Sequence, residues 1–135
     1  MPTFLSDGLT LNYATAGEGP PVLCIHGFAS SGQVNWVDVG WVETLVGAGY
    51  CAITFDNRGH GASDKPHDPE RYHPQDMARD AVALLDHLGL ERAAVLGYSM
   101  GARIAAFMAF AHEERVACLI LGGMGMNLIN GLSDG

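Results

Sequence analysis

The sequence predicts an α/β fold in which helices cover both faces of a mostly parallel sheet. Three apolar runs, residues 22–25, 51–55 and 93–96, have the length and character of strands that are buried on both faces. The segments between these runs are long enough for crossover helices. Residues 9–14 instead alternate apolar and polar side chains before a turn sequence at 17–20, which predicts an antiparallel strand in an edge hairpin. The predicted element order is β-β-β-α-β-α-β-α-β.

Three helices are predicted from apolar periodicity and end signals. Residues 75–88 follow a proline, place apolar side chains on one face and stop at a glycine. Residues 36–48 are expected to form another helix that also ends at a glycine. Residues 100–111 are apolar nearly all round, so we expect the most buried helix there, leading into a last strand at 116–121.

The composition indicates a single globular domain and excludes several classes of partner. Apolar residues make up 48% of the 135-residue chain and charged residues 16%. Fifteen acidic against seven basic residues give a net charge of −8, which repels phosphate backbones and anionic lipid surfaces. No segment approaches the roughly 20 apolar residues that cross a bilayer, and the N-terminus lacks the pattern of a secretory signal. We therefore expect a cytoplasmic protein that binds neither nucleic acid nor a membrane.

The cysteines and histidines do not form a recognisable metal or disulfide pattern. Cys24, Cys51 and Cys118 each lie in an apolar run, and their odd number argues against a disulfide framework. They are expected to be buried thiols. The sequence contains no HExxH, paired CxxC or EF-hand pattern, so we predict no metal and no cofactor.

The strongest chemical signal is the sequence Gly97-Tyr98-Ser99-Met100-Gly101, which matches the pattern G-x-S-x-G. It lies between a predicted buried strand and a predicted buried helix, and a turn this sharp forces the serine hydroxyl out above the sheet. The helix that begins at Met100 would point its free N–H groups toward an attacked carbonyl oxygen. Ser99 is therefore the candidate nucleophile. The alternative is a serine that only caps the helix.

Two further motifs follow the other apolar runs, in chain order. Residues 26–28 read HGF and come directly after the first run, and residues 55–66 read FDNRGHGASDKP after the second. With the turn at 97–101, these motifs resemble the α/β-hydrolase superfamily, in its serine esterase and lipase-like branch, over essentially the whole chain. The resemblance implies that residues 1–135 are the N-terminal part of a single domain whose sheet has the strand order 1-2-4-3-5-6-7-8, and that the chain stops after the sixth strand.

The resemblance also assigns roles to residues near Ser99. It implies that the backbone N–H groups of Phe28 and Met100 form the oxyanion hole. His26 ends a strand expected about 5 Å from the strand that carries Ser99, which makes it a possible general base. In the superfamily this histidine orders the loop instead, and we expect the same here. Asp56 and Arg58 are expected to form a structural charged pair.

A serine nucleophile indicates attack on an acyl carbon. This separates the chain from superfamily members that use aspartate to open epoxides or displace halide. The expected substrate is a small molecule with an ester, thioester or lactone group. Superfamily members with serine also cleave carbon–carbon bonds or transfer acyl groups, so these reactions stay open.

The remaining triad residues are not found in the sequence. The superfamily supplies an acid and then a histidine after the sixth strand, whereas the only later acid here is Asp134 and no histidine follows His112. Two interpretations stay open: part of a longer serine hydrolase, or a catalytically silent hydrolase-like domain that binds a ligand.

The last predicted strand indicates an assembly. In the strand order that the resemblance implies, it would leave an apolar edge at residues 116–121 that contains neither lysine nor proline. The expected partner is a second copy in a homodimer, or a second chain that carries the C-terminal half.

Overall fold

The computed structural model describes residues 2–123, which fold around a six-stranded sheet with the strand order β1-β2-β4-β3-β5-β6. The strands are β1 (Thr3–Ser6), β2 (Leu9–Ala16), β3 (Pro21–Ile25), β4 (Cys51–Phe55), β5 (Ala93–Tyr98) and β6 (Val116–Gly122). The β1–β2 and β2–β4 pairs are antiparallel, and β3, β4, β5 and β6 run parallel. This is the order that the resemblance to the α/β-hydrolase superfamily implies for the first six strands.

Helices pack on both faces of the sheet. They are α1 (Trp41–Gly47), α2 (Pro74–His87) and α3 (Met100–Ala111), with a π-helical turn at Gln33–Val37 and 3₁₀ turns at Pro69–Arg71 and Glu113–Arg115. Side chains of α2 and α3 form the larger core with β1 to β5, because the buried residues of both helices lie on the face toward the sheet. A smaller core on the opposite face joins Trp36 and α1 to side chains of β3 and β5.

One of three local expectations was wrong. The helix predicted over residues 36–48 is broken at Gly40, whose φ of +92° is not helical, and α1 begins only after it. The strand at residues 9–14 lies in an antiparallel hairpin at the sheet edge, as predicted, where β2 pairs with the edge strand β1 and with β4. The helix α3 has the smallest share of exposed residues among α1, α2 and α3, as predicted, although Phe110 near its end is 89% exposed.

Candidate active site

Ser99 lies between the end of β5 and the first residue of α3 with a strained backbone. Its φ of +56° and ψ of −116° are rare for a residue with a side chain, and such conformations cost on the order of 1–3 kcal/mol. Hydrogen bonds hold it in place: its N–H donates to the carbonyl of Gly122 at 3.0 Å, and its carbonyl accepts from the N–H of Ala102 at 2.9 Å. Strain of this kind persists where the surrounding structure enforces it, often at functional sites.

The turn around Ser99 requires its two glycines. A Cβ added at Gly97 would collide with the backbone of Gly101, and a Cβ added at Gly101 would collide with the carbonyl oxygen of Ile25. The start of α3 therefore lies directly against the end of β3. This close packing brings the loop after β3 to the serine: a Cβ added at Gly27 would lie 3.4 Å from the Ser99 Cβ.

The loop after β3 places Phe28 next to the start of α3. The N–H of Gly27 donates to the Asn35 side-chain oxygen at 2.9 Å, which anchors the loop on the π-helical turn. Phe28 is 78% exposed, and its ring contacts His60 edge-on, with ring centroids 5.8 Å apart. Phe28 and Met100 border one cavity of about 480 Å³, which brings together the two residues expected to supply oxyanion donors.

His26 is completely buried, and both of its ring nitrogens are in use. Nδ1 lies 2.7 Å from the carbonyl of Gly27, and Nε2 accepts the N–H of Asn57 at 2.9 Å. A nitrogen that accepts from an N–H carries no proton, so Nδ1 is the protonated nitrogen and donates to Gly27. Burial lowers the pKa of His26 below its ordinary value. The histidine therefore joins the loop after β3 to the loop after β4 and has no free nitrogen for Ser99.

Asp56 and Arg58 do not pair with each other, so that expectation was wrong. The Asp56 carboxylate accepts the backbone N–H groups of Gly32 at 2.9 Å and Ala62 at 3.0 Å. Arg58 turns the other way and forms a bidentate ion pair with Asp80 on α2. Both residues organise the loop after β4, each through a partner distant in sequence.

A cavity of about 450 Å³ opens beside Ser99 at the carboxyl ends of β3, β5 and β6. Its aromatic walls are Phe28, Trp36, Trp41 and Tyr98. Trp36 is only 2% exposed, and its indole N–H has no acceptor among residues 2–123. The sequence analysis missed Trp41 as a site residue, because a continuous helix over 36–48 hides the bend at Gly40 that turns this side chain toward the serine.

Other predicted features are found only in part. Cys24 is buried, which raises its pKa to about 12, whereas Cys118 is exposed. Within residues 2–123 there is no group of three metal-ligating side chains. The helices of this same part of the chain are all too short or too polar to span a membrane. Asp134 lies outside the described residues.

Comparison with known proteins gives one consistent family. The profile of the alpha/beta hydrolase fold family matches residues 20–129. Over 121 residues, or 87% of this chain, the sequence is 37% identical to a provisionally named 2-succinyl-6-hydroxy-2,4-cyclohexadiene-1-carboxylate synthase of Bacillus subtilis (strain 168). It is 33% identical over the same length to epoxide hydrolase 2 of Siraitia grosvenorii. The chain spans 42% and 36% of the length of these two relatives.

Solved structures agree with these sequence matches. A crystal structure of an epoxide hydrolase from Vigna radiata superimposes with a TM-score of 0.82 at 27% identity and covers 89% of this chain and 38% of that one. Epoxide hydrolase A from Mycobacterium thermoresistibile superimposes with a TM-score of 0.79 at 31% identity, covering 89% of this chain and 37% of that one.

Proposed function

The chain belongs to the alpha/beta hydrolase fold family, and we propose that it carries the nucleophile of a serine hydrolase that acts on a carboxylic ester, thioester or lactone. The observation that carries the proposal is the backbone of Ser99, held at a φ of +56° between a buried strand and a helix, beside an open cavity. An ordinary helix cap has an extended backbone and a side chain that accepts from the helix, whereas the Ser99 side chain makes no such bond.

In the proposed reaction the Ser99 Oγ attacks the acyl carbon. A bond forms between Oγ and that carbon, the carbonyl π electrons move onto oxygen, and the hydroxyl proton passes to a base. The alkoxide or thiolate then leaves with a proton, and water releases the acid from the acyl-enzyme. His26 is not that base, since both its nitrogens are bonded. We expect the base and the acid to come from residues outside the described part of the chain.

The oxyanion is the charge that the proposed site must stabilise. We propose that the backbone N–H groups of Phe28 and Met100 donate to it, supported by the close approach of the loop after β3 to Ser99, where a Cβ added at Gly27 would lie 3.4 Å from the Ser99 Cβ. The 12-residue helix α3 begins at Met100, so the positive end of its dipole acts on the same oxygen. Loss of one such donor costs about 3 kcal/mol of transition-state stabilisation in a serine protease.

Serine also distinguishes this proposal from the chemistry named for several relatives. Members of the superfamily that open epoxides attack with a carboxylate, whereas Ser99 supplies a hydroxyl at the turn after β5. A hydroxyl that attacks an acyl carbon leaves an ester that water can cleave, whereas a hydroxyl that opened an epoxide would leave a stable ether.

An active-site-directed fluorophosphonate tests the nucleophile. In the longest natural form of the protein, which would supply the base, we expect covalent labelling of the wild type and none of Ser99→Ala. Ser30→Ala is the matched control, because Ser30 lines the same cavity and has the same side chain, and we expect it to keep wild-type labelling. Equal labelling of Ser99→Ala and wild type would exclude Ser99. Absence of labelling in the wild type, in the longest natural form of the protein, would favour the catalytically silent binding domain.

A further inference from the structure

The cavity beside Ser99 collects apolar side chains that the fold leaves exposed. Twelve large apolar side chains of the described residues are exposed, and four of these line this single cavity. They are Phe28 at 78%, Val39 at 66%, Tyr98 at 50% and Trp41 at 47%. Ligand pockets are lined mostly by such side chains, with few polar groups. The walls therefore fit an apolar group.

Aromatic rings form much of the cavity lining, and the buried Trp36 supports the ring of Trp41. Trp36 packs edge-on against Trp41, with ring centroids 6.3 Å apart and an interplanar angle of 73°. Trp36 is 2% exposed and belongs to the smaller core, so it fixes the position of the half-exposed Trp41 ring. Aromatic rings gain additional stabilisation from offset or edge-on contact with another ring. This arrangement favours a flat aromatic group over a flexible aliphatic chain.

No charged side chain lines this cavity within residues 2–123. Its side-chain polar groups are those of Ser30, Asn35, Ser99 and the aromatic residues, none of which supplies a counter-ion at neutral pH. Moving a carboxylate out of water without a paired cation is strongly unfavourable. The net charge of −8 adds a long-range repulsion of anions. The described walls therefore favour an uncharged group.

Ser99 decides which part of the substrate enters this cavity. The acyl group becomes bonded to Ser99 Oγ, and Ser99 lines this cavity but not the neighbouring one bordered by Met100. The neighbouring cavity holds His60 and Tyr72, which are suited to contact a polar leaving group. Phe28 lines both cavities and separates them.

Resting on the proposed function, we propose that the substrate carries an uncharged aromatic acyl group, which binds against Trp41, Tyr98 and Val39 beside Ser99. The two tryptophans of the chain, Trp36 and Trp41, both line the cavity, so intrinsic fluorescence reports its occupancy. The probes are acetophenone and 4-acetylbenzoate, which share the ring and the ketone and differ by one carboxylate.

The titration uses the full chain and its Ser99→Ala variant. In both proteins we expect acetophenone to quench the fluorescence saturably and to bind at least about tenfold more tightly than 4-acetylbenzoate. Binding by Ser99→Ala separates this inference from the proposed function, since the cavity walls do not depend on the nucleophile. Failure of fluorophosphonate labelling alone would overturn the proposed function and leave the cavity assignment standing.

A positive charge introduced at the opening of the cavity provides a second test. Val39→Lys adds a cation at a side chain that is already 66% exposed, and we expect it to bring 4-acetylbenzoate to within about threefold of acetophenone. Val34→Lys is the matched control, because Val34 is 55% exposed, carries the same charge change and does not line the cavity. Equal affinities of the wild type for both probes, or no binding of acetophenone, would overturn the proposal. Equal rescue by both lysine variants would also overturn it.

Discussion

The guanidinium of Arg58 and the carboxylate of Asp80 form a bidentate ion pair inside the core, with Nε to Oδ2 at 2.8 Å and Nη2 to Oδ1 at 2.6 Å. Both residues are completely buried. The Ser6 hydroxyl donates to the same carboxylate at 2.6 Å, which joins β1, α2 and the loop after β4.

Removal of one partner of this pair is expected to destabilise the fold strongly. Asp80→Ala removes both short ion-pair contacts of the buried Arg58 and leaves only the 3.3 Å ion-pair contact of its Nη1 with the exposed Asp7 carboxylate, so the free energy of unfolding in urea should fall by about 3–5 kcal/mol. Arg79→Ala on the same helix is the control: Arg79 is 63% exposed in its ion pair with Asp76, and its loss should cost at most about 1 kcal/mol. Similar losses in the two variants would contradict the predicted importance of the buried pair.

His26 should make stability depend on pH. Burial lowers its pKa in the folded state below the ordinary value of 6.5, so the unfolded chain binds the proton more readily. Neutral His26 therefore contributes its full stability above 6.5, and this contribution is lost as the pH falls from there through the lower folded-state pKa. Urea unfolding at a series of pH values should show this slope in wild type. A slope of the same size in His26→Gln would show that another group causes it.

Gly101 should not tolerate a side chain. A Cβ there would meet the Ile25 carbonyl oxygen, so Gly101→Ala has to move α3 away from β3 and should cost about 1–3 kcal/mol or more. Gly47→Ala is the control, since Gly47 also lies in a helix and its added Cβ would meet nothing within 4 Å. That variant should gain about 0.5–1 kcal/mol. Thermal unfolding of the two variants measures both effects, and a neutral Gly101→Ala would contradict the close packing.

The 135-residue chain by itself should be nearly inert toward activated esters. His26 has no free ring nitrogen, and a serine hydrolase without its base loses on the order of a million-fold in rate. The measurement is steady-state hydrolysis of a nitrophenyl ester by the purified chain, with Ser99→Ala as the blank. A hydrolysis rate within a few tens-fold of that of typical family members would contradict this prediction. The variant His26→Ala would then test whether the His26 ring becomes available as a base during the reaction.

We propose that the β6 edge is covered in solution, either by a second copy or by a second chain that carries the C-terminal half of the fold. Within residues 2–123, β6 pairs with β5 alone, and its Ile120 and Leu119 are 52% and 37% exposed. Light scattering after size exclusion should therefore give a mass above the 14.3 kDa of one chain. Ile120→Lys should lower that mass.

A matched charge at the other edge of the sheet is the control for this assembly. Leu5 on β1 is 74% exposed, and Leu5→Lys should leave the mass unchanged. A wild-type monomer of 14.3 kDa at high concentration would refute the proposed assembly.

The position of Ser99 between a strand and a helix, and most of the fold, could be predicted from the sequence because their signals are local. A strand, a turn with two glycines and a helix follow one another within residues 93–111, so the position of Ser99 depends on neighbours in the chain. The parallel strands were predicted in the same way, since burial on both faces requires continuous apolar runs. The break in the helix at Gly40 was not predicted, because a helical sequence pattern does not show whether a glycine within it adopts a positive φ.

Tertiary structure alone decided the contacts between distant residues. Arg58 finds Asp80 rather than the nearby Asp56, because the loop after β4 turns the guanidinium toward α2 and the Asp56 carboxylate toward backbone N–H groups. Trp41 reaches the cavity of Ser99 from nearly sixty positions away, since the parallel register of β3 and β5 brings their carboxyl ends to one edge. Which distant residues come into contact depends on how the strands and helices pack against one another. The order of side-chain types along the chain does not specify that packing.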